Sequence, residues 1–118
     1  MASVQVNGTL RARDHESITT LTSSTGLTST KYVKESTAND PFSRIRHAVE
    51  VVITVEVADI RWTIDGTVPT VSAGTGLGHI ASLGDDITIT GHDNIKNFRA
   101  INAVAANGAA LRITYFFA

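Results

Sequence analysis

The sequence predicts an all-β protein: an antiparallel β-sandwich, immunoglobulin-like or jelly-roll-like, in a single domain with an extended N-terminal segment. Three observations predict it, namely period-two runs of branched and aromatic residues, turn signals roughly every ten residues, and almost no helical periodicity. The 118 residues fit one domain with one core. We divide the chain into a Ser/Thr-rich arm or set of edge strands, residues 1–40, and a sandwich core, residues 41–118.

The N-terminal third is rich in hydroxyl side chains. Residues 4–12 alternate and predict a short first strand or an extended arm. From Ser17 to Thr37, twelve of 21 residues are Ser or Thr, and such side chains favour β or irregular structure over helix. We expect one or two weak strands in this stretch, at a sheet edge or lying on a partner.

The strongest strand pattern runs from Ser43 to Val57. From position 49 to 57 every odd-numbered residue is Val or Ile, a spacing that would wrap around a helix and leave it no polar face. Ala58-Asp59 breaks or bulges this strand, and Ile60–Ile64 resumes it. Asp65-Gly66 then supplies a turn. The pattern therefore predicts a long, half-buried strand followed by a second one.

The second half of the chain alternates between turns and strands. Turn signals stand at Asn39-Asp40-Pro41, Gly84-Asp85-Asp86 and Asn107-Gly108, and residues 67–78 have the composition of a loop. Further strands are predicted at residues 87–90, 97–103 and 111–117, and only Asp93–Lys96 is expected to form a helical turn. The predicted core consists of Val51, Ile53, Val55, Ile60, Trp62, Ile64, Leu83, Ile87, Ile89, Phe98, Leu111, Ile113 and Tyr115.

Composition limits the function classes. The formal net charge is −1, which gives no electrostatic reason to expect nucleic acid as a partner. There is no cysteine, so disulfides and thiolate metal sites are excluded. No stretch approaches the roughly 18 apolar residues of a membrane span, and no leader pattern stands at the N-terminus. We expect a soluble protein made in the cytoplasm that binds neither nucleic acid nor membrane.

The motifs associated with catalysis and cofactors are weak. Gly74–Gly78 is glycine-rich, but a phosphate loop needs a strand before it and a helix after it, so a surface loop is the simpler interpretation. Asp85, Asp86 and Asp93 are calcium-type ligands, although turn residues that cap their own backbone explain them as well. The four histidines, His15, His47, His79 and His92, show no metal-ligand spacing, and no nucleophile elbow occurs. We predict no enzyme, no cofactor and no metal.

Four residues are candidates for an interaction surface instead. Arg44, Arg46 and the adjoining His47 form a basic cluster, which is either a solvated start of the long strand or a contact for an acidic partner. Tyr32 stands among the few apolar residues of the Ser/Thr-rich stretch. Phe116 lies between two predicted core residues and should point away from the core, towards solvent or a partner. These features predict a homo-oligomer.

The run from Val49 to Phe117 resembles a group of small β-rich virion proteins of tailed bacteriophages. The resemblance lies in Val55–Thr70 (Val-Glu-Val-Ala-Asp-Ile-Arg-Trp-Thr-Ile-Asp-Gly-Thr-Val-Pro-Thr), Gly78-His79, Leu83–Asp86, Asn97–Ile101 and the closing Leu-Arg-Ile-Thr-Tyr. It implies a structural component of the virion, such as a capsid decoration (cement) protein that binds the head lattice, with the major capsid protein as its partner. A neck or tail component is the alternative within this class.

A shorter resemblance leads to a different class. Ile60–Thr70 is similar to the Tyr-Thr-x-Asp-Gly-x-x-Pro-Thr turn of immunoglobulin-like modules attached to chitin- and glycan-degrading enzymes. That similarity implies a glycan-binding module, for which Trp62 would have to supply an exposed aromatic platform. The two hypotheses differ in whether the face of Trp62 is open.

Overall fold

The computed structural model describes residues 10–35, 45–71, 76–104 and 108–118. Strands account for 50% of the structure and helices for 11%, so the prediction of an all-β, antiparallel single domain is confirmed. Within these residues no helix combines the length and the apolar character needed to cross a membrane.

Ten strands and two short helices follow one another along the described chain. They are β1 (Arg11–Ile18), β2 (Thr25–Gly26), α1 (Ser29–Tyr32), β3 (Val33–Glu35), β4 (Ile45–His47), β5 (Glu50–Glu56), β6 (Ile60–Thr63), β7 (His79–Ala81), β8 (Asp86–Thr90), α2 (His92–Asn97), β9 (Arg99–Asn102) and β10 (Ala110–Phe117).

Eight of the strands form two four-stranded sheets in jelly-roll order. The first sheet has the order β1-β10-β5-β8 and the second β2-β9-β6-β7, and every pairing is antiparallel. Counted among these eight, the first strand pairs with the last, the second with the seventh, the third with the sixth and the fourth with the fifth. A long hairpin rolled up on itself gives this order, which distinguishes the jelly roll from the immunoglobulin-like alternative.

The remaining two strands, β3 and β4, form a separate hairpin. The sequence predicted a single strand from Ser43 to Val57, but the structure breaks it at Ala48-Val49. There the amide of Ala48 donates to the carbonyl of Tyr32 (2.8 Å), and the amide of Val49 donates to the carbonyl of Phe116 (2.9 Å). Apolar alternation continues across this break, so periodicity alone could not reveal it. Helix α1 was also missed, since a single turn buried through Tyr32 leaves no periodic signal.

The core lies between the two sheets and largely matches the predicted set. Ten of its members are buried, whereas Trp62 and Ile64 are half-buried and pack against the core cluster. The prediction that Leu83 belongs to the core is wrong. Its side chain is 58% exposed because it lies in the turn before β8, outside the alternating strand. Leu21, Leu27 and Tyr32 join the core from the Ser/Thr-rich stretch.

The N-terminal segment, where described, forms an edge strand of the first sheet. Strand β1 pairs with β10 and carries a register irregularity between Ala12 and Asp14. The proposed boundary between residues 40 and 41 lies outside the described residues. The same is true of Val4 and Val6, of the Asn39-Asp40-Pro41 turn and of most of the Asn107-Gly108 turn.

A partly buried carboxylate joins β1 to the segment before α1. Glu16 accepts hydrogen bonds from the amide (3.1 Å) and the hydroxyl (2.7 Å) of Thr28, and from the hydroxyl of Tyr115. Burial, together with the neighbouring Glu16 carboxylate, raises the pKa of Tyr115 far above its usual value. The phenol therefore remains a hydrogen-bond donor, and the network fixes α1 against the first sheet.

Asp14 provides a second attachment, and it should give stability a specific pH dependence. The hydrogen bond from Lys34 (2.5 Å), aided by the one from Lys31 (3.1 Å), lowers the pKa of Asp14 from 3.8 to about 2, although burial acts in the opposite direction. Because the folded-state pKa is below the unfolded value, this contribution is present above pH 3.8 and is lost as the pH falls towards 2.

We therefore expect Asp14→Asn to lower the free energy of unfolding by about 1 kcal/mol or less at neutral pH, since both lysines are partly solvated. The difference from the unsubstituted protein should shrink in acid. Urea unfolding at about pH 7 and about pH 3 measures it. Asp93→Asn, at an exposed position in α2, is the matched control; an equal difference at both pH values would contradict the assignment.

Candidate interaction surfaces

Three exposed branched aliphatic residues lie on adjoining loops at one end of the sandwich. The connections β5–β6, β7–β8 and β9–β10 all cross between the sheets at this end, and Asp59 joins them. Its carboxylate accepts the amide of Leu83 (2.9 Å) and its carbonyl accepts the amide of Ala103 (3.0 Å). Val57 is 65% exposed, and Leu83 and Val104 are each 58% exposed. We call Val57, Leu83 and Val104 the apolar tip.

Val57 is held in a backbone conformation that branched residues avoid. Its φ of 73° is the only positive value at a non-glycine residue in the described chain. In that region the Cβ of an L-residue crowds the backbone at a cost of about 1–2 kcal/mol. The sequence placed Val57 on the core face of the strand, but the turn at 57–59 directs it to solvent. A strained, exposed aliphatic residue contributes little to folding, which makes it a candidate for contact with a partner.

The opposite end of the sandwich carries a pair of imidazoles. The rings of His47, on β4, and His92, at the start of α2, have centroids 3.9 Å apart, and the ring of Tyr32 lies 6.4 Å from His92. Two imidazoles that share one metal ion have centroids about 5 Å apart, because each nitrogen lies about 2 Å from the metal. The pair is therefore a ring-to-ring contact, and among the described residues no group of three potential ligands occurs.

The predicted interaction residues that the structure describes lie near the Ala48-Val49 break, but they differ in exposure. Tyr32 is a member of the core cluster and Arg46 is exposed on β4. Arg44 lies outside the described residues. Phe116 is not a member of the core cluster, but only 4% of it is exposed, so it offers little surface to a partner. Of the three described residues only Arg46 is exposed, so they do not form one exposed interaction surface.

The aromatic residue required by the glycan-binding hypothesis is partly covered. Trp62 contacts the ring of His79, with centroids 5.0 Å apart, and that of Phe98, at 6.2 Å. It is half-buried and packs against the core cluster. A glycan platform needs a broad open aromatic face, so this placement does not favour that hypothesis.

The candidate calcium and phosphate residues take part in local structure. Asp85 accepts the amide of Ser82 (2.8 Å), as a turn-capping residue does, and Asp86 accepts the hydroxyl of Thr54 (2.7 Å). In the glycine-rich stretch, residues 72–75 lie outside the described chain. A Cβ at Gly76 would lie within 3 Å of the Arg61 side chain and of the carbonyl of Thr70. Glycine is needed there because that loop packs closely over β6.

A groove lies beside this loop. Its volume is about 490 Å³, and it lies between residues 22–24 and 68–71 with Ile101 and Asn102 of β9 also lining it. Its apolar lining comes from Val68, Pro69, Val71 and Ile101, and its polar lining from short hydroxyl side chains. Among the residues that the structure describes, the groove lining includes no charged side chain that would identify a ligand.

Comparisons with protein-family models, with curated proteins and with solved structures found no match to this chain. The functional interpretation therefore depends on the sequence resemblance, the strand order and the exposed surfaces.

Sequence reasoning did not find the apolar tip. Leu83 was predicted to lie in the core and Val57 on the strand face that carries core residues, and Val104 was not singled out. The break at Ala58-Asp59 was the one available signal, since a strand that stops there cannot keep Val57 in its pattern.

Proposed function

We propose that this chain is a structural protein of a tailed-bacteriophage virion, a capsid decoration protein that binds the head lattice. The observation that carries the proposal is the jelly-roll strand order. Viral capsid domains use this topology, as do lectins and cupins, so the argument is one of fold analogy. The half-chain sequence resemblance selects the virion class among them.

The apolar tip is the surface that we assign to contact with the major capsid protein. A head lattice offers repeated, rigid sites, and a rigid ligand loses little conformational freedom when it binds them. The hydrogen bonds of Asp59 fix the three tip loops to one another. Burying exposed Val and Leu side chains would supply binding free energy at about 25 cal/mol per Å² of apolar surface.

The proposal is tested with purified particles of the phage whose genome encodes the chain. We expect the chain in these particles at a copy number comparable to that of the major capsid protein. A small fixed number of copies would instead indicate a neck or tail component. Particles that lack the chain altogether would refute a virion role.

Substitutions in the tip should separate stability from binding. Val57→Gly relieves the strained φ and should raise the free energy of unfolding by about 1 kcal/mol, while it removes an apolar contact and weakens binding to particles.

Leu83→Asp should weaken cosedimentation with undecorated heads at least about tenfold. Ile45→Asp is the matched control, because Ile45 is equally exposed on β4 but distant from the tip loops; equal losses for Leu83→Asp and Ile45→Asp would contradict the assignment.

A further inference from the structure

The two edges of the first sheet differ in chemistry. At one edge, β1 carries exposed Arg11, Arg13 and His15 and a register irregularity, which are features that discourage pairing with another strand. At the other edge, β8 reads Asp-Ile-Thr-Ile-Thr, with regular register against β5 and neither proline nor basic residues. Within the described residues, its outer side pairs with no strand. The β8 edge is therefore open to pairing.

The register identifies which backbone groups of β8 face outwards. At the two ends of the β5–β8 ladder, the amide of Gly91 donates to the carbonyl of Val49, and the amide of Val55 donates to the carbonyl of Asp85, each at 2.9 Å. Hydrogen-bonded pairs alternate along an antiparallel ladder, so Ile87 and Ile89 bond to β5. The amides and carbonyls of Asp86, Thr88 and Thr90 consequently point away from the sheet, although the Thr90 carbonyl already accepts the side chain of Asn94 (3.0 Å).

We propose that a second copy of this chain pairs with β8, strand against strand, about a two-fold axis at Thr88. In this register Thr88 faces Thr88 of the other copy, and Asp86 faces Thr90. All of these positions have outward-facing backbone groups, so about six backbone hydrogen bonds can form across the interface. A carbonyl has two acceptor sites, so the contact from Asn94 leaves one free at Thr90.

The side chains are self-complementary in the same register. Ile87 of one copy lies opposite Ile89 of the other, which continues the apolar inner layer from one sandwich to the next. On the outer face, Thr88 pairs with its own copy and no two like charges face each other. Pairing of β8 with β1 of another copy would instead have to cross the irregular register between Ala12 and Asp14, which interrupts the ladder.

This proposal names the surface through which the proposed virion protein would associate with itself. Only the biological setting of the dimer rests on the proposed function, because the pairing is argued from the β8 edge alone. It uses the β8 edge, whereas particle binding uses the apolar tip. Cosedimentation with heads and dimer formation by the free protein are separate measurements, so either can fail without the other.

The natural absence of cysteine permits a direct test. Hydrogen-bonded residues on antiparallel strands have Cα atoms about 5.5 Å apart, within the range that a disulfide spans. We expect Thr88→Cys to form a covalent dimer under mild oxidation. His15→Cys, an exposed position on the opposite edge, is the matched control and should form no covalent dimer. Absence of a dimer with Thr88→Cys, or equal cross-linking of both variants, would overturn the proposal.

Reversible association gives a second, independent readout. Thr88→Lys places two positive charges at the axis and should weaken dimerisation at least about tenfold in sedimentation velocity experiments. Its circular dichroism spectrum should be unchanged, because Thr88 is exposed and, by the alternation of the ladder, its amide does not bond to β5. Unchanged sedimentation, or an unsubstituted protein that is monomeric at high concentration, would refute pairing at this edge.

Discussion

Phe98→Ala is expected to lower the free energy of unfolding by about 3–5 kcal/mol, the largest effect of a single substitution that we predict. Phe98 is completely buried and stands between α2 and β9, where its ring stacks near that of Trp62. Removing it leaves a cavity that the sheets cannot close, because both are fixed by their own hydrogen-bond ladders. Urea unfolding followed by circular dichroism measures the loss.

Leu83→Ala is the matched control for this prediction. The sequence pattern placed Leu83 in the same core as Phe98, whereas the structure exposes it at the apolar tip. We expect a change of less than about 0.5 kcal/mol, as is usual for exposed positions. Comparable losses in the two variants would mean that the β7–β8 turn packs inside the sandwich and that the tip does not exist.

Glu16→Ala should cause the second largest loss, about 2–4 kcal/mol. It removes the acceptor of three hydrogen bonds, two from Thr28 and one from Tyr115. Tyr115 is fully buried, so its hydroxyl would be left without its partner, at the desolvation cost of a buried donor. The segment that leads into α1 would also be released from β1.

Two variants separate these effects. Tyr115→Phe removes one donor and leaves Glu16 bonded to Thr28, so we expect a smaller loss of about 1 kcal/mol. Glu56→Ala removes a glutamate whose bond to Arg112 (2.8 Å) is solvent-exposed, so the loss should be less than about 1 kcal/mol. If Glu16→Ala were no more harmful than Glu56→Ala, the network would not hold α1 to the sheet.

Strands β5 and β10 are predictable because every second residue of each belongs to the core cluster. The odd-numbered residues of β5 and of β10 are buried, and both strands lie in the middle of the first sheet. The strand order is not predictable in the same way, since alternation fixes a face and not a neighbour. Strand β7 escaped prediction because its three residues form no pattern. Strands β2 and β3 lie in the stretch for which one or two weak strands were predicted without bounds, and β4 lies within the predicted long strand. Long-range pairing sets the bounds of these short strands.

The candidate surfaces were less predictable than the fold. Val57 is exposed because of its positive φ, and Leu83 is exposed because it lies in a turn. Neither feature can be recognised from the alternation of apolar and polar residues along the sequence. Phe116 shows the reverse case: it alternates with core residues and is not a member of the core cluster, yet only 4% of it is exposed, which alternation did not predict. The open edge at β8 could be recognised only after the sheet order had shown which strands are outermost.

A cryo-electron microscopy reconstruction of the native phage particle is the most direct test of the central claim, that this jelly roll decorates a virion head through its apolar tip. We expect density for the sandwich on the outer surface of the head, with the loops that carry Val57, Leu83 and Val104 against the major capsid protein. Heads without this density, or a bound sandwich whose tip faces solvent, would contradict it.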